Sequence, residues 1–147
     1  MRRYEMSIRI KVKPEQFEQA FWESLQGYRL DVLEAVNKAI KSAARQTAKY
    51  LRTQGHSYRD RTGNYTKGWT YSRTAVSNRL RADEYKVHQR GADYRLTHLL
   101  ENGHRIRGRD KRIHGTSRSY VHILPASEFT DELIASEIYK EVRKLDS

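Results

Sequence analysis

The sequence predicts an α+β fold: an antiparallel or mixed sheet of about four strands packed against one long helix, with a short N-terminal helix and a C-terminal helix. Three observations lead there. Apolar and charged residues alternate with period two from Met6 to Lys13, a repeat of three and four residues runs from about Leu30 to Arg52, and a helix–basic loop–strand unit spans Tyr94 to Phe129. At 147 residues the chain is expected to be a single domain over its whole length.

The first strand places Met6, Ile8, Ile10 and Val12 on one face and Ser7, Arg9, Lys11 and Lys13 on the other. Pro14 ends it and suits the first turn of a short helix, with Phe17, Ala20, Phe21 and Leu25 on one side and Gly27 at the close. In the long helix Leu33, Val36, Ile40, Ala43, Ala44, Thr47 and Leu51 form the apolar stripe. Its alanines permit close approach to a sheet or another helix. An irregular loop rich in Gly, Ser, Asn, Thr and Arg follows, and Arg61-Thr62-Gly63-Asn64 reads as a turn feeding a strand near Lys67. There Trp69, Tyr71 and Arg73 alternate with Thr70 and Ser72. Tyr85, Val87 and Gln89, alternating with Lys86 and His88, make its antiparallel partner across Ser77–Asp83.

Leu96, Leu99 and Leu100 then signal a short helix, which Asn102-Gly103 ends in a left-handed cap. A Gly-punctuated loop carries Arg105, Arg107, Arg109, Lys111, Arg112 and Arg118 against the single acid Asp110. An apolar strand, Tyr120–Leu124, follows and Pro125 ends it. A helix from about Ser127 to Leu145 closes the chain, with Glu128, Asp131 and Glu132 in its first turn and Lys140, Arg143 and Lys144 in its last, the polarity a helix dipole favours.

A formal net charge of +11 points to an acidic partner: nucleic acid, an anionic membrane or an acidic protein face. The absence of cysteine excludes disulfides and thiolate metal sites. No apolar run reaches the roughly 20 residues that span a bilayer, and the N-terminal stretch lacks the pattern of a signal peptide, so a soluble protein acting near where it is made is expected. Phosphate-binding glycine loops, the dinucleotide fingerprint, the zinc-protease helix and the nucleophile elbow are all missing. The six histidines, His56, His88, His98, His104, His114 and His122, invite a metal reading, yet their spacing matches no ligand pattern, and no metal or cofactor is expected.

The basic loop has three readings: a solvated loop, a phosphate-backbone contact, or a dock for an acidic protein face. Tyr58, Tyr65, Trp69 and Tyr71, near Arg59 and Arg61, could stack bases, although such rings more often fill the space between sheet and helix.

Taken together, Tyr94, then Leu99-Leu100-Glu101-Asn102-Gly103-His104, the basic loop, and His122-Ile123-x-Pro125-Ala126 before a final helix resemble the neck proteins of long-tailed bacteriophages. These are called head–tail joining, tail-completion or minor tail-component proteins. The upstream order agrees: strand, short helix, long Ala-rich helix, and Arg61-Thr62-Gly63 leading into a strand. The chain departs from the pattern in its arginine-rich loop and in Tyr120-Val121, where a Pro or Gly is expected.

The resemblance implies a non-enzymatic virion protein, assembled in the host cytoplasm, that forms a hexameric ring where the tail meets the head. Its implied partners are its own copies and other neck and tail proteins (stopper, tail terminator or tail-tube side), with non-specific contact to DNA in the channel and none to membrane. On that reading Arg61, Thr62, Gly63, Glu101, Asn102, Gly103, His122, Pro125 and Ala126 set the fold. The six basic residues from Arg105 to Arg118, with Arg59 and Arg61, make subunit and partner contacts. The rival is a small basic RNA-binding module or ribonuclease-toxin-like protein, which would need a converging set of His, Arg and Tyr or Glu. A DNA-binding accessory factor lacks helix-turn-helix spacing.

Overall fold

The computed structural model describes residues 6–11, 29–54, 58–78 and 81–146, and the expected helix between Pro14 and Gly27 lies outside them. The fold is α+β. Strand β1 (Ile8–Ile10) leads, by way of undescribed residues, to the long helix α1 (Arg29–Thr53). A single helical turn α2 (Asn64–Lys67) precedes strands β2 (Trp69–Ala75) and β3 (Glu84–Gln89). A 3-10 turn (Ala92–Arg95) runs into α3 (Leu96–Asn102), followed by strands β4 (Arg105–Arg107) and β5 (Ile113–Thr116). Helix α4 (Ile123–Arg143) and a 3-10 turn (Lys144–Asp146) complete the described chain. Among the described residues no helix is long and apolar enough to cross a membrane.

The main sheet is antiparallel, in the order β1-β3-β2, with Ile8 opposite Val87 and Tyr71 opposite Val87 on its other side. Period-two alternation does what it predicts. Ile8 and Ile10 of β1, and Tyr85, Val87 and Gln89 of β3, point into the core, while Arg9 faces water. Helix α1 lays a broad face over this sheet: Val32, Ala35, Val36, Ala39, Ile40, Ala43, Ala44, Thr47, Ala48 and Leu51 are all buried. The stripe is wider than the sequence alone suggests because α1 is covered on two sides, by the sheet and by α4.

At the α1–α4 crossing the residues are small, Ala43, Ala44 and Ala48 against Ala126 and Thr130, so the backbones come close enough for side-chain hydroxyls to meet. Thr130 donates to the Ala126 carbonyl at 2.7 Å, which leaves its oxygen to accept from Thr47 at 2.5 Å. Tyr50 of α1 stacks on Phe129 of α4 with ring centroids 4.5 Å apart, extending the seam.

Two expectations fail. Tyr120–Leu124 is not a strand: the chain is irregular to His122, and α4 starts at Ile123, four residues earlier than Ser127. Pro125 therefore sits in the first turn of a helix, where its missing N–H costs nothing, instead of ending a strand. The basic loop holds a two-stranded antiparallel ribbon, β4–β5, separate from the main sheet, so the described residues form a three-stranded sheet and a ribbon in place of one sheet of about four strands.

Candidate functional site: a clamped basic ribbon

The ribbon is the part of the structure that the core does not explain. All seven residues of β4 and β5 are exposed, as are Arg109, Lys111, Arg112 and Arg118. Arg105 lies opposite Thr116 and Arg107 opposite Ile113, so these four share a face. Ile106 pairs with Gly115 on the other, and His114 forms a bulge between them. Ile106 and Ile113 stay 47% and 51% exposed. At the tip Gly108 donates to the Arg112 carbonyl at 3.0 Å. Asp110, the one acid in the loop, accepts from the Arg112 backbone at 3.1 Å and from His114 Nε2 at 2.9 Å. Those hydrogen bonds, His114 first, hold the Asp110 carboxyl below the usual carboxylate range. The acid shapes the turn and leaves the arginines unneutralised.

An isolated two-stranded ribbon is marginal in water, so this one depends on its base. Gly103 has φ 71° and ψ 173°, a positive-φ conformation outside the left-handed helical cap expected for it, and a Cβ there would stand 2.7 Å from the Ser117 carbonyl oxygen. Only glycine fits both the backbone angle and the approach. Next to it Ser117 closes the ribbon twice over. Its backbone donates to the His104 carbonyl at 2.7 Å, and its hydroxyl accepts from the His104 backbone at 2.8 Å.

Below the ribbon lies a clamp. Glu101, in the last turn of α3, accepts backbone N–H groups from His122 (2.6 Å), Ile123 (2.9 Å) and Leu124 (3.1 Å), the first donors of α4. A helix N-terminus carries several N–H groups with no partner in the helix and the positive end of its dipole. Here a carboxylate from a different helix serves both. Glu101 thus joins α3 to α4. Asn102 is exposed at the end of α3, and Pro125 and Ala126 occupy the first turns of α4, Ala126 fully buried.

His122 is fully buried behind the clamp. Its Nδ1 faces two acceptors, the Tyr120 carbonyl at 2.8 Å and Glu101 Oε2 at 2.9 Å, so Nδ1 bears the hydrogen. In a neutral ring Nε2 then accepts from the Tyr65 hydroxyl at 2.7 Å. Tyr58, Tyr65 and Trp69 surround the imidazole edge-on, with centroids 5.2, 5.8 and 6.0 Å away. These three rings are buried and fill the core, so base stacking is not open to them. Tyr71 is partly buried against the same cluster.

The Arg61-Thr62-Gly63 motif delivers Tyr65. Asp60 accepts from the Gly63 backbone at 2.9 Å with one oxygen and from the Thr66 backbone at 2.8 Å with the other. Thr62 Oγ1 accepts from Asn64 at 3.2 Å, and Gly63 takes a left-handed φ of 74°. Together they wind the single turn α2, whose buried residue is Tyr65. Burial raises the Asp60 pKa, but hydrogen bonds from Thr66, Gly63 and Thr62 outweigh it and leave the carboxyl below its ordinary value. Arg59 and Arg61 are exposed beside this turn.

Residues from three segments thus meet at one point: Tyr65, just after the Arg61-Thr62-Gly63 turn, Glu101 from α3, and His122 at the start of α4. The histidines do not meet. His98, His104 and His114 are exposed on separate elements, His88 lies on β3 beside Ser72, and His56 is outside the described residues. Among the described residues no three His, Asp or Glu side chains gather as metal ligands would. Sequence reasoning missed Asp60, although Asp three residues before a Gly is a recognisable turn signal. The reach of Glu101 to residues 122–124 had no local signature.

Burial pushes the Tyr65 phenol well above its ordinary pKa, helped by the nearby Tyr58, Glu101 and Asp60, and burial also raises Tyr58 and Tyr85. The folded protein therefore holds these protons more tightly than the unfolded chain. Their contribution to stability is complete below about pH 10 and is lost as pH rises beyond it. Denaturant midpoints measured from neutral pH to about pH 11 should fall at the alkaline end, with phenolate absorbance lagging until unfolding. Tyr65→Phe should flatten that decline; an equally steep fall in the variant would remove Tyr65 from the account.

Compared with known proteins, the chain matches no family model, no curated protein and no solved structure.

Proposed function

We propose that this chain is a structural component of the neck of a tailed bacteriophage, a ring-forming head–tail joining or tail-completion protein that turns over no substrate. The observation that carries the reading is the clamp. The Glu101 and His122 motifs, on which the resemblance to the neck proteins rests, meet at the base of an exposed ribbon. An assembly protein needs this division of labour: a packed body that does not change, and a projecting element whose side chains are satisfied only against a neighbour. Ile106 and Ile113 among the arginines favour a protein surface over a phosphate backbone, since phosphates would engage the guanidinium groups and leave both isoleucines in water.

The test is to change Arg105, Arg107, Arg109 and Arg112 to serine together. These side chains are exposed and none has an ion pair among the described residues, so the far-ultraviolet spectrum and melting should stay close to wild type, while head–tail joining in an assembly assay is lost. Intact folding with unchanged joining would sink the proposal. Tight, steeply salt-dependent RNA binding by a monomer, or RNA cleavage, would favour the RNA-binding or ribonuclease-toxin-like reading instead. Portal, capsid and tail-tube genes beside this one would support the neck.

A further inference from the structure

We infer that the basic ribbon of one copy of this chain docks on the outer face of helix α4 of a second copy, an arrangement that gives the ring of the neck reading its repeating contact. The outer face is read directly from exposure. Leu124, Glu128, Asp131, Ala135 and Tyr139 recur at intervals of four, three, four and four residues, with Glu132 beside them, and all are exposed. Leu124 is 58% and Tyr139 67% exposed, large apolar side chains at either end of a carboxylate cluster.

Nothing among the described residues pairs with those carboxylates. Were α4 to begin at Ser127, they would complement its dipole. It begins at Ile123, its first turn holds no acid, and the anion at its N-terminus is Glu101 from α3. The dipole fades within one turn. Several other acids pair within the molecule, Glu34 with Lys38, Asp110 with His114, Glu137 with Lys140 and Glu141 with Lys144. Glu128, Asp131 and Glu132 take part in no ion pair among the described residues.

The ribbon is the complement of that face in both respects. Arg105 and Arg107 share a surface with Ile113, and Arg109, Lys111 and Arg112 crowd the tip. Guanidinium groups can meet the three carboxylates while Ile113, on the same face, covers an apolar end of the patch at Leu124 or Tyr139. The ribbon does not fold back on its own α4, because every residue of both its strands is exposed. On the neck reading the contact is made head-to-tail, ribbon of one copy to α4 of the next, and it forms a ring when the rotation between copies closes. A shared positive charge of +11 per copy opposes association, and these carboxylates offset it where the copies touch.

The test uses the full chain. In low salt and at high concentration, native mass spectrometry should find the wild type associated, and raising the salt should dissociate it. Reversing the ribbon (R105E, R107E, R112E) or the helix (E128K, D131K, E132K) should each give monomers. Carrying both sets in one chain should restore association. The protein has no cysteine of its own, so R107C in one preparation and D131C in another should cross-link through a short bismaleimide, a readout that does not depend on the reversed chains folding. A wild type that stays monomeric and gives no such cross-link overturns the contact. So do reversed chains that still associate, or a folded double reversal that does not. Association by these surfaces in a protein with no part in head–tail joining would keep the contact and remove the neck function; joining without it would do the opposite.

Discussion

Glu101→Ala should lower the stability of the folded protein by about 3–5 kcal/mol, because it leaves several donors without their acceptor at about 1–3 kcal/mol for each one buried. Three backbone donors at residues 122–124 and the Nδ1–H of a fully buried His122 would lose an acceptor together. With a domain of this size the melting temperature should drop by roughly 10 °C. Urea titration should show a lower midpoint at an unchanged slope, the sign of altered stability in place of an altered transition. Glu101→Gln keeps the volume and one acceptor oxygen, so it should lose less, about 1–2 kcal/mol. A loss below about 1 kcal/mol in the alanine variant would mean that the start of α4 is held by its packing on α1 and that the clamp is incidental. Limited proteolysis gives an independent reading: with the clamp gone, cleavage within the ribbon should accelerate.

Trp69→Ala is the second large effect, about 3–5 kcal/mol, as for any fully buried aromatic removed from a core that cannot collapse around the space. Trp69 opens β2, is completely buried, and sets its edge against both Tyr65 and His122. Removing it leaves a void beside the Tyr65–His122 hydrogen bond, so the loss should spread to that pair. A double-mutant cycle of Trp69→Ala with Tyr65→Phe should therefore show coupling, whereas additive losses would mean that the rings pack side by side without supporting each other. Trp69→Phe should recover most of the stability.

How much of this was legible beforehand divides along physical lines. Helix α1 and strands β1 and β3 follow from periodicity, because each buries one face and that face must repeat at the pitch of its backbone, whereas β2 buries only Trp69. The ribbon did not declare itself: strands Arg105–Arg107 and Ile113–Thr116 bury neither face, so no alternation marks them. Val121 to Leu124 misled for a related reason. A short apolar run before a proline fits the end of a strand and the start of a helix equally well, and the choice is made by Glu101, far back in the chain. Glu101 and His122 meet in the structure together with Tyr65, which the sequence marks only as an aromatic near Arg59 and Arg61, and the hydrogen bonds that unite the three are long-range and left no local trace. The expected left-handed cap at Gly103 erred more narrowly. The positive φ was right, and the close approach of Ser117 turns the chain outward instead of capping α3.

Glu101 sits just before the ribbon, and the amides it holds come just after it. The excursion between them is tied off at its neck like the mouth of a drawstring bag, by hydrogen bonds that lie outside the ribbon itself. Lengthening, shortening or rewriting the residues beyond Gly103 and Ser117 would then alter only a slowly growing loop entropy, since the ends are already joined. Evolution could refit that projection to a new neighbour without renegotiating the core, and an engineer could graft a foreign hairpin onto the same stem.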